Sequence, residues 1–157
     1  MPALAGLGAP YWDMDSRGAI FGLTRAVTRN HLIKGTLDGI AYRTKDVLDA
    51  MSKDSGIELD SLKVDGGACK NNYLMQFQSS LLDTKVERPD VTESTAMGVA
   101  YLAGITQGLW NAQDILSFRK IDRTFVPRME EKQRSKLYSQ WKKAVSRTLN
   151  WKADNAE

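Results

Sequence analysis

VDGGACKNNYLMQF, residues 64–77, carries an apolar strand into the turn Asp65-Gly66-Gly67 and starts a helix after Asn71. In open α/β domains, ligands settle beyond the carboxyl ends of strands. Two adjacent glycines let the backbone turn with positive φ and let a ligand lie against it without meeting a Cβ. A helix N-terminus adds free N–H groups and a positive dipole end, suited to a phosphate or a polar ring edge. Asn71 or Asn72 is placed to cap that helix or to hydrogen-bond an adenine or ribose. The spacing is that of neither a P-loop nor a Rossmann fingerprint. Many purely structural strand–turn–helix junctions also carry Gly-Gly, so the residues alone leave nucleotide contact open beside a structural turn.

Outward from this turn the chain alternates. Upstream, Gly18, Ile20 and Gly22 predict a turn leading into a short strand, one arm of a hairpin. Asn30 is the expected N-cap of a helix over 31–53, with Ile33, Leu37, Ile40, Ala41, Leu48 and Met51 as its buried face and Gly56 as its stop. Ser61–Asp65 reads as a strand, 71–82 as a helix with Leu74, Phe77 and Leu81 inward, and Lys85–Arg88 as a second strand ended by Pro89. A helix over 93–108 is rich in small residues (Ala96, Gly98, Ala100, Ala103, Gly104), which predicts close packing against its neighbours. A short helix near 112–117 and an extended piece at 121–127 follow. This order predicts an α/β domain of three layers, with residues 1–127 as its α/β part and 128–152 as a C-terminal amphipathic helix.

Length and composition set the frame. A chain of 157 residues fits one domain, and 42% hydrophobic with 26% charged residues is ordinary for a globular protein. No run approaches the roughly 18 apolar residues that span a bilayer, no secretory signal is visible, and Cys69 has no partner for an internal disulfide. A cytoplasmic location without a membrane partner is the expectation. The net charge is +3, and seven Lys or Arg residues without an acid lie between Lys132 and Lys152. Lys132, Lys136, Lys143 and Arg147 share one helical face, opposite Leu137, Trp141, Ala144, Val145 and Thr148. That is a docked helix with a solvated basic side, favoured over a nucleic-acid surface.

Other residues that could carry chemistry are weaker. His31, the single histidine, stands at a helix start and is expected to pack there. Cys69 precedes a helix N-terminus, which could lower its thiol pKa, but a small turn residue is the simpler reading. Asp13, Asp15 and Asp65 are not spaced to form a Mg²⁺ site, and no His/Cys cluster suggests zinc.

Two stretches together resemble the family of carbohydrate and polyol kinases that includes glycerol, xylulose, gluconate and fucose kinases. GAIFGLTRAVTRNHLIKGTLD, residues 18–38, is similar to the family's C-terminal signature, and VDGGACKNN to its adenosine-contacting turn. AGLGAPYWD at the start, ERPDVTESTAMGVAYLAG at 87–104 and FVPRMEEKQRSKLYSQWKKAV at 125–145 extend the resemblance over almost the whole chain. GLGAPYW, RGAIFGLT and YSQWKKAV most resemble the glycerol-phosphorylating members. Gly35 departs from the signature, which usually has Ala or Ser there.

The resemblance implies a ribonuclease H-like, actin-like ATPase fold, here a C-terminal domain truncated at its N-terminal side. It implies ATP with Mg²⁺ in a cleft between two such domains, and phosphoryl transfer from ATP to glycerol, one carboxylate accepting the alcohol proton. Carried over by position, Gly67 and Asn71 contact the adenosine part of ATP, while Gly66 and Ala68 shape the turn. The phosphate loops, polyol-binding residues, Mg²⁺ ligands and catalytic aspartate are expected upstream, so no catalytic residue is assigned here and the isolated chain is expected to be inactive. The expected partners are the missing N-terminal kinase domain, ATP or ADP, glycerol in the complete enzyme, and a further copy in a homo-oligomer, with no nucleic acid. A domain lacking its leading strands would also expose a sheet edge, a liability for self-pairing. The alternatives are a piece of another sugar kinase, such as a xylulose or gluconate kinase, or a non-catalytic nucleotide-binding module.

Overall fold

A computed structural model describes residues 1–118 and 120–152, without the side chain of residue 116. Its elements are α1 (Arg29–Ser55), β1 (Ser61–Lys63), a 3₁₀ turn (Gly67–Lys70), α2 (Asn72–Leu82), β2 (Lys85–Pro89), α3 (Ser94–Thr106), α4 (Ala112–Phe118), β3 (Ile121–Phe125) and α5 (Glu131–Ser146). The sheet order is β1-β2-β3, with β1 parallel and β3 antiparallel to β2. A parallel pair needs a crossover, and α2 supplies it.

The core forms where the amphipathic faces meet. Leu74, Phe77 and Leu81 of α2 are buried as expected, against Val86 of β2, Phe125 of β3, and Ala41 and Tyr42 of α1. Tyr42 stacks on Trp141 of α5 at 5.2 Å and meets Phe77 edge-on at 5.6 Å, so one ring joins three helices. On α5, Trp141, Val145 and the following Thr148 are buried while Lys132, Lys136, Lys143 and Arg147 are exposed, the predicted division. The layering is complete on one face only: α2 lies on β2 and β3, whereas β3 is exposed along Ile121–Thr124.

Three local expectations are corrected. First, residues 16–24 form no strand. Ala19 exchanges backbone hydrogen bonds with Met1 (3.0 and 2.7 Å), and Ile20, Phe21 and Leu23 stand exposed with no partner strand beside them. Second, the cap of α1 is Thr28, not Asn30. His31 turns back so that its Nδ1 accepts the Thr28 N–H at 3.1 Å, fulfilling its packing role at the helix start. Gly56 ends α1 at φ 70°, as predicted. The buried face of α1 is Gly39, Ala41, Tyr42 and Asp46, while Ile33, Ile40 and Met51 are exposed. The apolar stripe is wider than the contact, and only the side facing α2 and α5 is covered. Third, α3 is not closely packed along its small-residue stripe. An added Cβ at Gly98 would meet nothing within 4 Å, and Val99 and Leu102 are largely exposed. Gly104 alone is tight, with the Trp110 ring 2.0 Å from where a Cβ would be.

A buried carboxylate ties the molecule together. Asp46 of α1 accepts hydrogen bonds from Tyr138 Oη and Trp141 Nε1, both at 2.7 Å, and pairs with Lys142 Nζ at 2.9 Å. Lys142 also donates to Tyr11 Oη at 3.0 Å, so the same cluster holds the N-terminal loop. Arg43 lies 3.7 Å from Asp46 and donates weakly to Ala9 O. Asp13 closes that loop by accepting from the N–H groups of Asp15, Ser16 and Asn150, bonds that hold its carboxyl below the usual range, Asn150's first.

Candidate nucleoside-binding turn

β1 ends at Lys63, and Val64 extends the ladder by donating to Glu87 O at 3.1 Å. Gly66 then takes φ 76° and ψ 176°, a region almost closed to residues with a Cβ, and its N–H reaches Thr92 O at 2.8 Å. The chain drops at once into the 3₁₀ turn, with Cys69 N–H on Gly66 O at 3.2 Å and Asn71 N–H on Ala68 O at 3.1 Å. Asn71 caps α2: its Oδ1 accepts the Leu74 N–H at 3.0 Å. That bond orients the Asn71 side chain and leaves its Nδ2 to donate outward.

The two glycines therefore have different work. Gly66 supplies the backbone conformation. Gly67 has no positive φ, and a Cβ added there would meet nothing within 4 Å; its lack of a side chain leaves the surface bare. Gly67, Ala68 and Asn71 are exposed and Gly66 half-buried, so the four expected residues form one accessible strip beyond the end of β1. Asn72 is separated from them in role, since its Oδ1 is taken by Arg88 at 2.9 Å. Cys69 is buried, its thiol donates to Gly66 O at 2.9 Å, and burial pushes its pKa up. It is a structural turn residue.

Arg88 is the residue that sequence reasoning passed over. From β2 its Nη1 donates to Cys69 O at 3.1 Å and Lys70 O at 3.4 Å as well as to Asn72, while Nε and Nη2 both reach Asp122 Oδ2 at 2.7 Å. An Arg in a strand that ends beside a glycine turn was the available signal, but only tertiary adjacency gives it meaning. Among the described residues no group of three or more His, Cys, Asp or Glu side chains could hold a metal ion. No helix among the described residues is long and apolar enough to cross a membrane.

The turn by itself does not identify a class; comparison with known proteins does. Residues 1–106 match the FGGY family of carbohydrate kinases, C-terminal domain, and the chain belongs to that family. Within it, the chain is 59% identical over 152 residues to the glycerol kinase of Vibrio vulnificus and 57% identical over 152 residues to that of Caldanaerobacter subterraneus, each match covering 96% of this chain. It spans about 30% of the length of these curated relatives. Among solved structures, the glycerol kinase of Plasmodium falciparum with ADP superposes with a TM-score of 0.84 at 40% identity, over 94% of this chain and 30% of that one. A xylulose kinase from Lactobacillus acidophilus, at 22% identity and a TM-score of 0.74, shares the fold.

Proposed function

We propose that this chain supplies the adenosine wall of an ATP:glycerol phosphotransferase. The observation that carries this reading is the bare strip Gly66-Gly67-Ala68, held rigidly at the carboxyl end of a parallel strand and bordered by the outward amide of Asn71. A purine ring lies flat on such a strip, and an Asn amide donates to a ring nitrogen or ribose oxygen. The likeness to glycerol kinases, one of them solved with ADP, supports both nucleotide and polyol assignments.

The phosphates, the Mg²⁺ and glycerol are handled by the rest of the enzyme, which is the partner of this chain. In support, α3 is apolar all round yet exposed, and Ile33 and Ile40 of α1 face solvent; helices of that composition belong in a covered position. By itself the chain binds nucleoside and turns over no ATP. Half a cleft leaves much of the ligand in water, so a millimolar dissociation constant, about −4 kcal/mol, is expected for adenosine and ATP alike.

Gly67→Val tests the assignment. The space at Gly67 admits a side chain without a clash, so the variant should keep its melting temperature and lose adenosine binding. Asn72→Ala should bind nearly as well as the parent chain. Undiminished binding by Gly67→Val would refute the wall.

A further inference from the structure

We infer that Arg88 is the positioning residue of the nucleoside turn, acting through the backbone carbonyls of Cys69 and Lys70. The inference rests on the nucleoside reading for its functional consequence and on geometry alone for its mechanical one. A 3₁₀ turn ends in unsatisfied carbonyls that carry partial negative charge. Here one Nη1 lies across two of them, at 3.1 and 3.4 Å, and takes the Asn72 amide oxygen at 2.9 Å.

The guanidinium is itself fixed from behind. Nε and Nη2 converge on Asp122 Oδ2 at 2.7 Å, and the guanidinium carbon stands 5.4 Å from the centroid of the buried Phe125 ring. The Arg88 side chain is only 13% exposed. β3 thus holds Arg88, and Arg88 holds the turn that carries Gly67 and Asn71. By occupying Asn72 it also separates two adjacent asparagines, leaving Asn71 as the one aimed outward. Only a planar, multiply donating cation can reach acceptors on both elements at once; a lysine ammonium is a single point.

The test uses Arg88→Lys in the full chain, with amide hydrogen exchange and an adenosine titration. The N–H groups of Cys69 and Asn71, bonded inside the turn, should exchange about tenfold faster, one charge-assisted bond's worth, while Met75–Leu81 of α2 keep their protection. Adenosine should bind about tenfold more weakly, with the melting temperature lowered by no more than the few degrees that one such bond accounts for. Unaltered exchange at Cys69 and Asn71, or acceleration spread evenly over α2 and β2, would overturn the positioning role. Should Arg88→Lys not fold, Asp122→Asn, at a half-exposed site, must show the same selective pattern or the inference fails. If the parent chain binds no adenosine, the nucleoside reading falls, and the exchange contrast alone still decides whether Arg88 holds the turn.

Discussion

Replacing Asp46 by Ala should destabilise the chain more than any change at a surface ion pair. Asp46 is fully buried and satisfies Tyr138 Oη, Trp141 Nε1 and Lys142 Nζ. Its removal leaves the buried indole N–H and the phenol without their acceptor, and Lys142 and Arg43 without their counter-charge. Leaving the indole N–H and the phenol unsatisfied costs about 1–3 kcal/mol each, while Lys142, itself 44% exposed, adds little. A domain of this size holds about 5–15 kcal/mol in total, so much of its stability would go. Asp46→Asn keeps one acceptor oxygen and the shape, and should cost less, about 1–3 kcal/mol. The helix-surface pair Lys45–Asp49, whose carboxylate is 45% exposed, provides the contrast, since exposed pairs contribute about 0–1 kcal/mol. Urea unfolding followed by tryptophan fluorescence and circular dichroism together measures all three, with an unchanged m-value as the sign that only stability moved. A loss below about 1 kcal/mol in Asp46→Ala would refute the claim that this carboxylate joins α1, α5 and the N-terminal loop.

Gly98→Ala and Gly104→Ala should move apart: the first gains helix propensity in open space, up to about 1 kcal/mol, while the second drives Trp110 from its bond to Tyr101 O and loses about 1–3 kcal/mol. Equal melting temperatures in the two variants would contradict the packing described for α3. Alkaline pH should also weaken the fold. Burial raises the hydroxyls of Tyr11, Tyr73 and Tyr138, and raises Tyr42, also facing Asp38, to about 12. An unfolded tyrosine ionises near its ordinary value, so this stability is whole below about pH 10 and is lost as pH climbs towards 12. A urea midpoint that does not fall between pH 9 and 11 would count against it.

How far the sequence disclosed the structure depended on where the partner of each residue lay. The turn at 64–77 was legible because its determinants are local: a strand, a glycine conformation, a cap and an amphipathic helix follow one another without a break between Ser61 and Leu82. The basic and apolar sides of α5 were legible for the same reason. The buried face of α1 was misjudged because Ile33, Ile40 and Met51 are as apolar as a core face, whereas the covered side is built on Tyr42 and Asp46. Nothing in a linear reading predicts that an aspartate is the pivot, because its donors lie 92 to 96 positions away. Residues 16–24 carry strand-like apolar residues but no partner, and a strand needs one. The small residues of α3 promised close contact, and only Gly104 meets it. Arg88 was invisible for a related reason: its acceptors sit 16 to 34 positions away on three different elements.

The most direct test of the central claim is a titration of the isotope-labelled chain with adenosine and, separately, with ATP, read residue by residue as amide chemical shifts. The nucleoside wall predicts that both ligands shift Gly66, Gly67, Ala68 and the Asn71 side-chain amide, saturating with similar millimolar constants that salt barely changes. Shifts gathered instead on Lys132, Lys136, Lys143 and Arg147 of the α5 region, seen with ATP alone and abolished by salt, would mean a generic polyanion surface and would contradict the account.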